Sequence, residues 1–314
     1  MKSMTREIPA PRPPVALSEN ELFDQWDRSL PLASVLVPTY NHEHFFDDCM
    51  SGILGQRSRF PFEVIIRDDA STDATLRKAL SYAMNWPRIV RVLQEECRTW
   101  PDVKPLARLI PEARGEVIFL CEGDDYWTDD NYVQTGMEKL SENMEVSMYE
   151  TSCVHIRDGM VVGASRPGYG ETRCLALMRS CIDLDELADI TSRIVSGSLL
   201  LVQMAHESGE VLRSSQVTGV YRLHQGGVTA VKRSDDGVRW QVEQFSAALE
   251  LREYCRRRGN EQSRKYWDMR VANVCLKALD NRGSLLRALS FIGKKFQRLA
   301  LLKVKRLFRK KVLM

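Results

Sequence analysis

The sequence lacks paired cysteines, long apolar runs and a G-x-G-x-x-G motif, and each absence argues against a class of protein. Its eight cysteines include no C-x-x-C pair, which argues against a zinc site or a redox motif and favours reduced thiols. No run of about 18 apolar residues occurs, so no membrane-spanning helix is predicted. The first 20 residues are polar and contain no apolar run typical of a signal peptide. We therefore expect the body of the protein to lie in the cytoplasm.

Acidic residues are missing from the C-terminal end of the chain. Residues 284–314 contain ten Lys and Arg but no Asp or Glu, so the remaining residues carry a net charge of −7 against +3 for the whole chain. A uniformly basic surface is therefore excluded, and no nucleic-acid partner is expected. Apolar residues alternate with these cations, which favours an amphipathic tail on an anionic membrane surface. A solvated helix packed on the body and an RNA-binding segment are the other interpretations.

The composition is that of a folded protein with a distinct N-terminal segment. Hydrophobic residues make up 44% and charged residues 28% of the 314 residues, which is enough apolar material for a sizeable core. The length suits one large domain with an appendage, or two small domains. Residues 1–19 contain four prolines and no periodic apolar pattern, so we predict a flexible arm over residues 1–30.

Short apolar runs alternate with helical patterns in the first half of the chain. Four runs predict buried strands: Ala33–Pro38, Phe62–Ile66, Ile89–Leu93 and Glu116–Cys121. Apolar residues at helical spacing predict helices near residues 45–54, 74–84, 104–113 and 131–143. This alternation predicts a mostly parallel sheet with right-handed crossovers. No G-x-G-x-x-G follows the first run, which argues against a dinucleotide-binding dehydrogenase.

The second half of the chain is less regular. We predict a hairpin over residues 146–162, a helix over 198–208, a strand over 218–222 and a largely helical region over 238–282. Residues 164–195 give no clear pattern.

Polar clusters follow three of the predicted strands. They are Thr39–Asn41, Asp68–Asp73 and Glu122–Asp125. Ligands of such sheets bind beyond the carboxyl ends of the strands, so the three clusters predict one site at one edge of the sheet.

The acidic cluster has the chemistry of a metal and diphosphate site. Asp124 and Asp125 offer oxygen ligands for Mg²⁺ or Mn²⁺ on a turn that Gly123 makes tight. An enzyme that holds a diphosphate beside carboxylates needs such a cation, which neutralises the leaving group. Capping of the next helix is the alternative role for these two residues.

The other two clusters offer groups for a nucleotide. Asp69 could accept hydrogen bonds from a base or a ribose, while Asp68 has the same chemistry with weaker support. Tyr40 could stack on a base, or it could be an ordinary core tyrosine. Capping of the following helices is the alternative for Asn41 and for both aspartates.

Together these segments resemble the family 2 glycosyltransferases, which are inverting enzymes with the GT-A fold. The resemblance covers about residues 32–230. It is carried by Val35–Asn41, Asp68–Asp73, Glu122–Trp127 and Tyr221–Val228. It implies an α/β fold with a mostly parallel, Rossmann-like sheet flanked by helices. The GT-A domain would span residues 31–232, with a nucleotide half over 31–130 and an acceptor half over 131–232. A helical extension would then occupy residues 233–314.

The resemblance implies a role for single residues. Pro38, Thr39 and Tyr40 match the strand end that contacts the nucleotide, with Asn41 beside them. Asp69 matches the carboxylate that reads the base, which is commonly uracil.

The later motifs match the parts that hold the diphosphate. Glu122–Asp125 match a D-x-D-type motif with Glu122 in place of the first Asp. We expect Asp125 to be the direct metal ligand, with Asp124 on the metal or the ribose. Arg222 and His224 match a late motif near the diphosphate, where cations neutralise the leaving group. A surface-loop histidine is the alternative for His224.

One departure from the family pattern concerns the general base. Members place a catalytic Asp before an apolar helix, where it deprotonates the acceptor hydroxyl. Ser198 occupies the corresponding position here, and a Ser cannot serve as a base without help. Either another carboxylate replaces it, with Asp189 and Glu207 as candidates, or the activity is weak or absent.

The resemblance therefore implies transfer of a sugar from a nucleotide-diphosphate donor, with UDP as the expected nucleotide. The acceptor would be a glycan or a lipid-linked glycan in polysaccharide, O-antigen or other cell-surface glycan assembly. We expect a cytoplasmic enzyme that associates peripherally with the inner face of the membrane. The alternative is a catalytically impaired nucleotide-sugar binder that acts as a scaffold.

Overall fold

A computed structural model describes residues 8–27, 30–100, 104–168, 172–194, 197–227 and 238–280. The chain divides into two compact units. Residues 1–192 and 197–223 form the first, and residues 193–196 and 224–314 form the second. The break after residue 223 lies near the boundary at residue 232 that the sequence predicts. The basic tail over residues 284–314 lies outside the described residues, so its membrane role stays a prediction.

The first unit contains the predicted α/β domain. Its strands are β1 (Ala33–Thr39), β2 (Phe62–Asp68), β3 (Val90–Gln94), β4 (Val117–Leu120), β5 (Tyr126–Trp127), β6 (Val146–Arg157), β7 (Met160–Ser165), β8 (Leu175–Met178) and β9 (Glu210–Arg222). Its helices are α1 (Glu19–Phe23), α2 (Phe46–Leu54), α3 (Thr75–Asn85), α4 (Pro105–Leu109), α5 (Tyr132–Ser141), α6 (Leu184–Thr191) and α7 (Gly197–Ser208). The four predicted strands are confirmed to within one or two residues. Burial is confirmed for β1, β2 and β4, whereas β3 is mostly half-buried.

Within the described residues, the nine strands form one mixed sheet. Its order is β3-β2-β1-β4-β8-β6-β9-β5, and β7 pairs with β6 outside this path. Strands β1 to β4 are mutually parallel, as predicted, because helices connect them. Strand β8 runs antiparallel to both β4 and β6 and joins the two halves of the sheet. The carboxyl ends of β1, β2 and β4 therefore share one edge.

The core forms around the parallel strands. All seven residues of β2 are buried, as are six of the seven in β1, which is the pattern of strands covered on both faces. Helix α2 adds Phe46, Met50 and Ile53 to the same cluster. Burying one such side chain contributes roughly 1.5–3 kcal/mol, so this packing fixes the strand ends that carry the polar clusters.

The N-terminal arm differs from the sequence prediction over its described part. Residues 8–17 are extended and bound to the first unit. Ile8 and Ala10 bond to the β6–β7 hairpin, since the Val161 amide donates to the Ile8 carbonyl and the Ala10 amide donates to the Gly159 carbonyl, each at 2.8 Å. Leu22 in α1 is fully buried in the main core. The flexible arm predicted over residues 1–30 is thus wrong for residues 8–23, because backbone hydrogen bonds, which no apolar period reveals, hold the proline-rich segment.

The structure assigns elements to residues 164–195 and changes the bounds of one predicted helix and one predicted strand. Residues 164–195 contain β8 and α6. The helix predicted over residues 104–113 is only α4 followed by a 3₁₀ turn at Ile110–Glu112, because Pro111 cannot continue an α-helix. Strand β9 is longer than predicted, since pairing with β6 extends it through residues 210–217, none of which is buried.

The second unit contains α8 (Val238–Arg257) and α9 (Glu261–Asp280), so the helical prediction for residues 238–282 is confirmed over residues 238–280. Gly259 has a φ of +70° and ends α8 in the left-handed region that glycine adopts without strain. The helices bury Leu251, Tyr254 and Trp267. In the part of the chain that the structure describes, no helix is long and apolar enough to cross a membrane.

Candidate active site

The three polar clusters meet at the carboxyl edge of the sheet, as the strand pattern predicts. The Asp69 amide donates to the Thr39 carbonyl at 3.0 Å, which joins the first and second clusters. The Gly123 amide donates to the Pro38 carbonyl at 3.0 Å, which joins the first and third. Parallel neighbours β2, β1 and β4 thus bring residues more than 80 positions apart into one site.

Asn41 and Asp68 hold the first two loops together. The Thr72 amide donates to Asn41 Oδ1 at 2.8 Å, and the Asn41 amide donates to Ser71 Oγ at 3.0 Å. Asp68 is buried and accepts from the Ser71 amide at 2.9 Å. Asn41 adopts a φ of 55°, which Asn tolerates better than most residues. These contacts tie loop to loop, and Asn41 does not cap α2, whose first turn has no side-chain cap.

Asp69 is the centre of the second cluster. Its side chain is buried and accepts from the Thr99 and Trp100 amides, both at 3.0 Å. Arg67 Nη2 lies 3.3 Å from Asp69 Oδ1 and also binds Glu95. Burial of Arg67 at 1% exposure requires these partners, because an unpaired buried charge is costly. Asp69 is therefore held rigidly. Its Oδ2 accepts a hydrogen bond from the Trp100 amide, and the other contacts are made by Oδ1.

The segment 98–100 adds residues that the sequence interpretation missed. The Arg98 guanidinium stacks on the Tyr40 ring at 4.2 Å, and Lys104 lies 4.6 Å from the Trp100 ring centre. Tyr40 is half-buried, so its ring is not an ordinary core position. Charged and aromatic side chains around Asp69 suit a flat base. The sequence signal for this cluster was Arg67, a cation in a strand that is buried over its whole length.

The acidic loop, which is the segment Glu122–Asp125 after β4, packs tightly on the end of β1. A Cβ added to Gly123 would lie 2.6 Å from Thr39 Oγ1 and 3.0 Å from His42 Nδ1, so no side chain fits there. His42 Nδ1 is 3.2 Å from Thr39 Oγ1, and His42 Nε2 is 3.7 Å from Asp124 Oδ2. The sequence interpretation missed His42. Asp124 keeps 15% of its side chain exposed, so part of this carboxylate reaches solvent.

Asp125 faces inward and is fully enclosed. Its Oδ2 lies 2.6 Å from Arg173 Nε, and its Oδ1 accepts from the Arg222 amide at 2.8 Å. Burial raises the pKa of the Asp125 carboxyl, and the Arg173 guanidinium opposes this increase. Both oxygens are thus engaged by protein groups, in contrast to the metal-ligand role that the sequence predicts for Asp125.

Arg173 connects the acidic loop to the strands behind it. Its side chain is almost fully buried, and its Nη2 lies 3.7 Å from Glu122 Oε2. The guanidinium also stacks on the Tyr221 ring at 4.3 Å. The Thr172 hydroxyl donates to the other Glu122 oxygen. The sequence interpretation missed Arg173 because it lies in the stretch without a clear pattern.

Arg222 spans the site from β9, next to the acidic loop as the motif predicts. Its Nη1 donates to the Asp124 carbonyl at 3.2 Å and its Nη2 donates to Asp48 at 2.7 Å. The guanidinium lies 4.7 Å from the Phe45 ring centre and 4.9 Å from that of Tyr126. Arg222 therefore holds the backbone of the acidic loop, and its guanidinium places a positive charge beside that loop.

The remaining predicted residues lie on other elements. Ser198 is the second residue of α7, and Glu207 lies nine residues further along this helix, roughly 14 Å away at 1.5 Å per residue. Asp189 is exposed on α6. His224 belongs to the second unit, where it lies beside Gly226 and Gly227. Glu207 therefore cannot replace an Asp at position 198 locally, and the general base stays unassigned.

A divalent ion fits the loop only with help from its substrate. No group of three or more His, Cys, Asp or Glu side chains placed to hold a metal occurs among the described residues. Mg²⁺ commonly takes one or two carboxylates together with substrate phosphates and waters. Asp124, whose side chain is 15% exposed, is the carboxylate of the loop that could reach such an ion, whereas Glu122 Oε2 is buried 3.7 Å from Arg173 Nη2.

Comparison with known proteins shows which sequences and structures this chain resembles. Residues 34–155 match the model of Glycosyl transferase family 2. An uncharacterized protein of Mycobacterium tuberculosis is 28% identical over 234 residues, which are 69% of this chain and 66% of that protein. The chain thus spans just under two thirds of that relative. The poly(ribitol-phosphate) beta-N-acetylglucosaminyltransferase TarS of Staphylococcus aureus is 34% identical over 96 residues, which are 30% of this chain and 16% of TarS.

Solved structures show the same fold. A crystal structure of S. aureus TarS 1–349 with UDP-GlcNAc superposes with a TM-score of 0.57 at 18% identity, over 82% of this chain and 79% of that one. The mannosyltransferase PcManGT of Pyrobaculum calidifontis, with GDP-Man and Mn²⁺, gives a TM-score of 0.54 at 17% identity over 98% and 92%. Residues 34–155 thus match glycosyltransferase family 2, and the chain has the GT-A fold of these solved structures.

Proposed function

We propose that this protein transfers a sugar from a nucleotide-diphosphate donor, with a UDP-sugar as our choice, to a hydroxyl acceptor. The proposal depends mainly on the position of the acidic loop. This loop lies on the same sheet edge as buried Asp69 and next to Arg173 and Arg222. Asp69 and its surroundings suit a base, while the loop and Arg222 suit a diphosphate. The TarS relative, which is named for transfer to poly(ribitol phosphate), supports an acceptor in a cell-surface glycan.

Each group has a defined task in this proposal. Tyr40 and Asp69 hold the base, and the loop after β4 holds the diphosphate. Arg222 stabilises negative charge on the leaving diphosphate, because a fixed cation costs no reorganisation during the reaction. The acceptor oxygen attacks the anomeric carbon from the opposite face, so the reaction inverts the configuration.

We assign the metal to Asp124 in place of Asp125. Both Asp125 oxygens are engaged by Arg173 and Arg222, whereas Asp124 is partly exposed. When bound, Mg²⁺ or Mn²⁺ supplies charge neutralisation to the diphosphate. Asp125 then acts as a buried anchor that orients the loop. The Mn²⁺ in the PcManGT structure supports a divalent ion, but does not select between the two metals.

Calorimetry with UDP and Mn²⁺ tests the donor site. We expect Mn²⁺-dependent binding of UDP to the full chain. Asp124→Asn should weaken binding in Mn²⁺ at least roughly tenfold, or about 1.4 kcal/mol, with little effect in EDTA. Asp125→Asn, in contrast, should weaken binding with and without metal, because it releases the loop. Glu142→Gln, on the exposed end of α5, is the matched control. Absence of Mn²⁺-dependent binding by any nucleoside diphosphate would refute the proposal.

A second candidate function is a nucleotide-sugar binder without transferase activity. It is favoured by Ser198 at the start of α7 and by the distance of Glu207 from it. Hydrolysis of UDP-GlcNAc, UDP-glucose and UDP-galactose distinguishes the two, since slow turnover that depends on Asp124 supports the enzyme. Ser198→Asp should raise this turnover if the base was lost there. Binding of UDP-sugars with no turnover in either protein would favour the scaffold.

A further inference from the structure

A groove in the first unit lies beside the candidate site and shares only Arg222 with the residues to which we give a donor role. Its volume is about 750 Å³, within the size range of small-molecule sites. The proline-rich segment 10–16 forms one wall, and α2 with the two residues before it forms the other. Tyr126 and Arg222 line the end that is next to the acidic loop.

The proline-rich wall is fixed in place. The Tyr126 hydroxyl donates to the Pro11 carbonyl at 2.7 Å, and the Ala10 amide donates to the Gly159 carbonyl at 2.8 Å. The three prolines of this wall, at positions 11, 13 and 14, restrict the backbone further. The groove therefore exists before a ligand arrives, which lowers the entropic cost of binding.

The groove is continuous with the acidic loop. Tyr126 directly follows Asp125 in the chain, and the Arg222 guanidinium bridges the Asp124 carbonyl and the Asp48 carboxylate. The same arginine therefore lines the groove and contacts the backbone of the loop that carries the proposed metal ligand.

The lining combines apolar faces with few charged groups. Phe45 and Val15 offer apolar surface, while Asp48 keeps 48% of its side chain exposed beside Arg222. Arg12 is exposed and makes no hydrogen bond or ion pair with the described residues. A sugar ring has apolar C–H faces and a rim of hydroxyls, so it matches both kinds of surface. An unpaired arginine also suits an acidic substituent such as a phosphate on the acceptor.

We propose that this groove binds the acceptor saccharide, with Asp48 accepting a hydrogen bond from a hydroxyl and Arg12 facing the distal part of the chain. The proposal rests on the proposed transferase function, because the acceptor has meaning only with a donor beside it. It assigns the proline-rich segment a function as one wall of the acceptor site.

Filling the groove tests this assignment without touching the donor residues. Ser51 lines the groove from α2 and Val15 lines it from the opposite wall. Ser51→Trp and Val15→Trp each place a bulky side chain at the lining of the groove, and Ser51→Ala is the matched control that leaves it open. Saturation-transfer NMR on the full chain, with UDP and Mn²⁺ present, measures the affinity of p-nitrophenyl glycosides of glucose, galactose, mannose and N-acetylglucosamine. Calorimetry measures UDP binding separately.

We expect at least one glycoside to bind the natural protein and Ser51→Ala. Both Trp variants should weaken it at least roughly tenfold, while UDP affinity changes less than about twofold. Unchanged glycoside binding in the Trp variants, or no binding of any glycoside to the natural protein, would overturn the assignment while UDP binding persists. Loss of UDP binding by the natural protein instead marks failure of the proposed function. If Ser51→Trp does not fold, Val15→Trp gives the result.

Discussion

Replacement of Arg173 by Met tests whether a buried ion pair holds the acidic loop. Asp125 is 1% exposed, and its Oδ2 lies 2.6 Å from Arg173 Nε. Removing one partner of a buried pair leaves an uncompensated charge, which costs about 3–5 kcal/mol. We therefore expect the free energy of unfolding to fall by about this amount at pH 8, measured by urea denaturation and circular dichroism. The loop should also lose its orientation, so Mn²⁺-dependent UDP affinity should fall roughly 10–100-fold.

The dependence on pH gives a second readout. Burial raises the pKa of the Asp125 carboxyl above its usual value of about 3.9. Between the unfolded-state and folded-state pKa values, the folded state therefore holds a proton that the unfolded state has released. A raised carboxyl pKa lowers stability as pH rises from about 4 to the folded-state value. Arg173 limits this effect, and its loss extends the window to higher pH. Arg173→Met should therefore be closer in stability to the natural protein at pH 5 than at pH 8.

A double variant and a control isolate the pair. Arg173→Met combined with Asp125→Asn leaves no buried charge, so it should cost less than the sum of the two single changes. Lys139→Met removes the partner of Glu142 in an exposed pair on α5 and should cost less than about 1 kcal/mol. The reasoning fails if Arg173→Met costs no more than this control, or if the two single changes are additive.

Three further predictions concern the packing of the loop, the base and the tail. Gly123→Ala should destabilise the protein by roughly 1–3 kcal/mol and weaken UDP binding, because the new Cβ would lie 2.6 Å from Thr39 Oγ1, whereas Gly163→Ala, with nothing closer than 3.7 Å, should not. Asp69→Asn should weaken UDP at least roughly tenfold with little effect on inorganic diphosphate, and equal losses for both ligands would place Asp69 away from the base. Replacing the ten Lys and Arg of residues 284–314 by Gln should weaken sedimentation with anionic vesicles by roughly 1 kcal/mol per residue close to the surface, and unchanged binding would exclude the membrane role.

The sequence by itself determined the fold class and predicted that the three polar clusters meet at one edge of the sheet. Short apolar runs that end in polar clusters are sufficient to predict a parallel sheet with ligands at its carboxyl edge, because strands buried on both faces need continuous apolar sequence. The motifs at Thr39–Asn41, Asp69 and Glu122–Asp125 added the resemblance to the family 2 glycosyltransferases. Local pattern also located the hairpin at Asp158 and the long C-terminal helices.

Only the tertiary structure decided which of these acidic groups is buried and which reaches solvent. Asp124 and Asp125 are adjacent and identical in chemistry, yet one is partly exposed beside His42 and the other is enclosed by Arg173. The difference depends on residues 48 positions away in a stretch with no readable period, and no local pattern encodes such a contact. The same is true of the proline-rich segment, which reads as disordered but forms a wall of the groove, since backbone hydrogen bonds from a distant hairpin hold it.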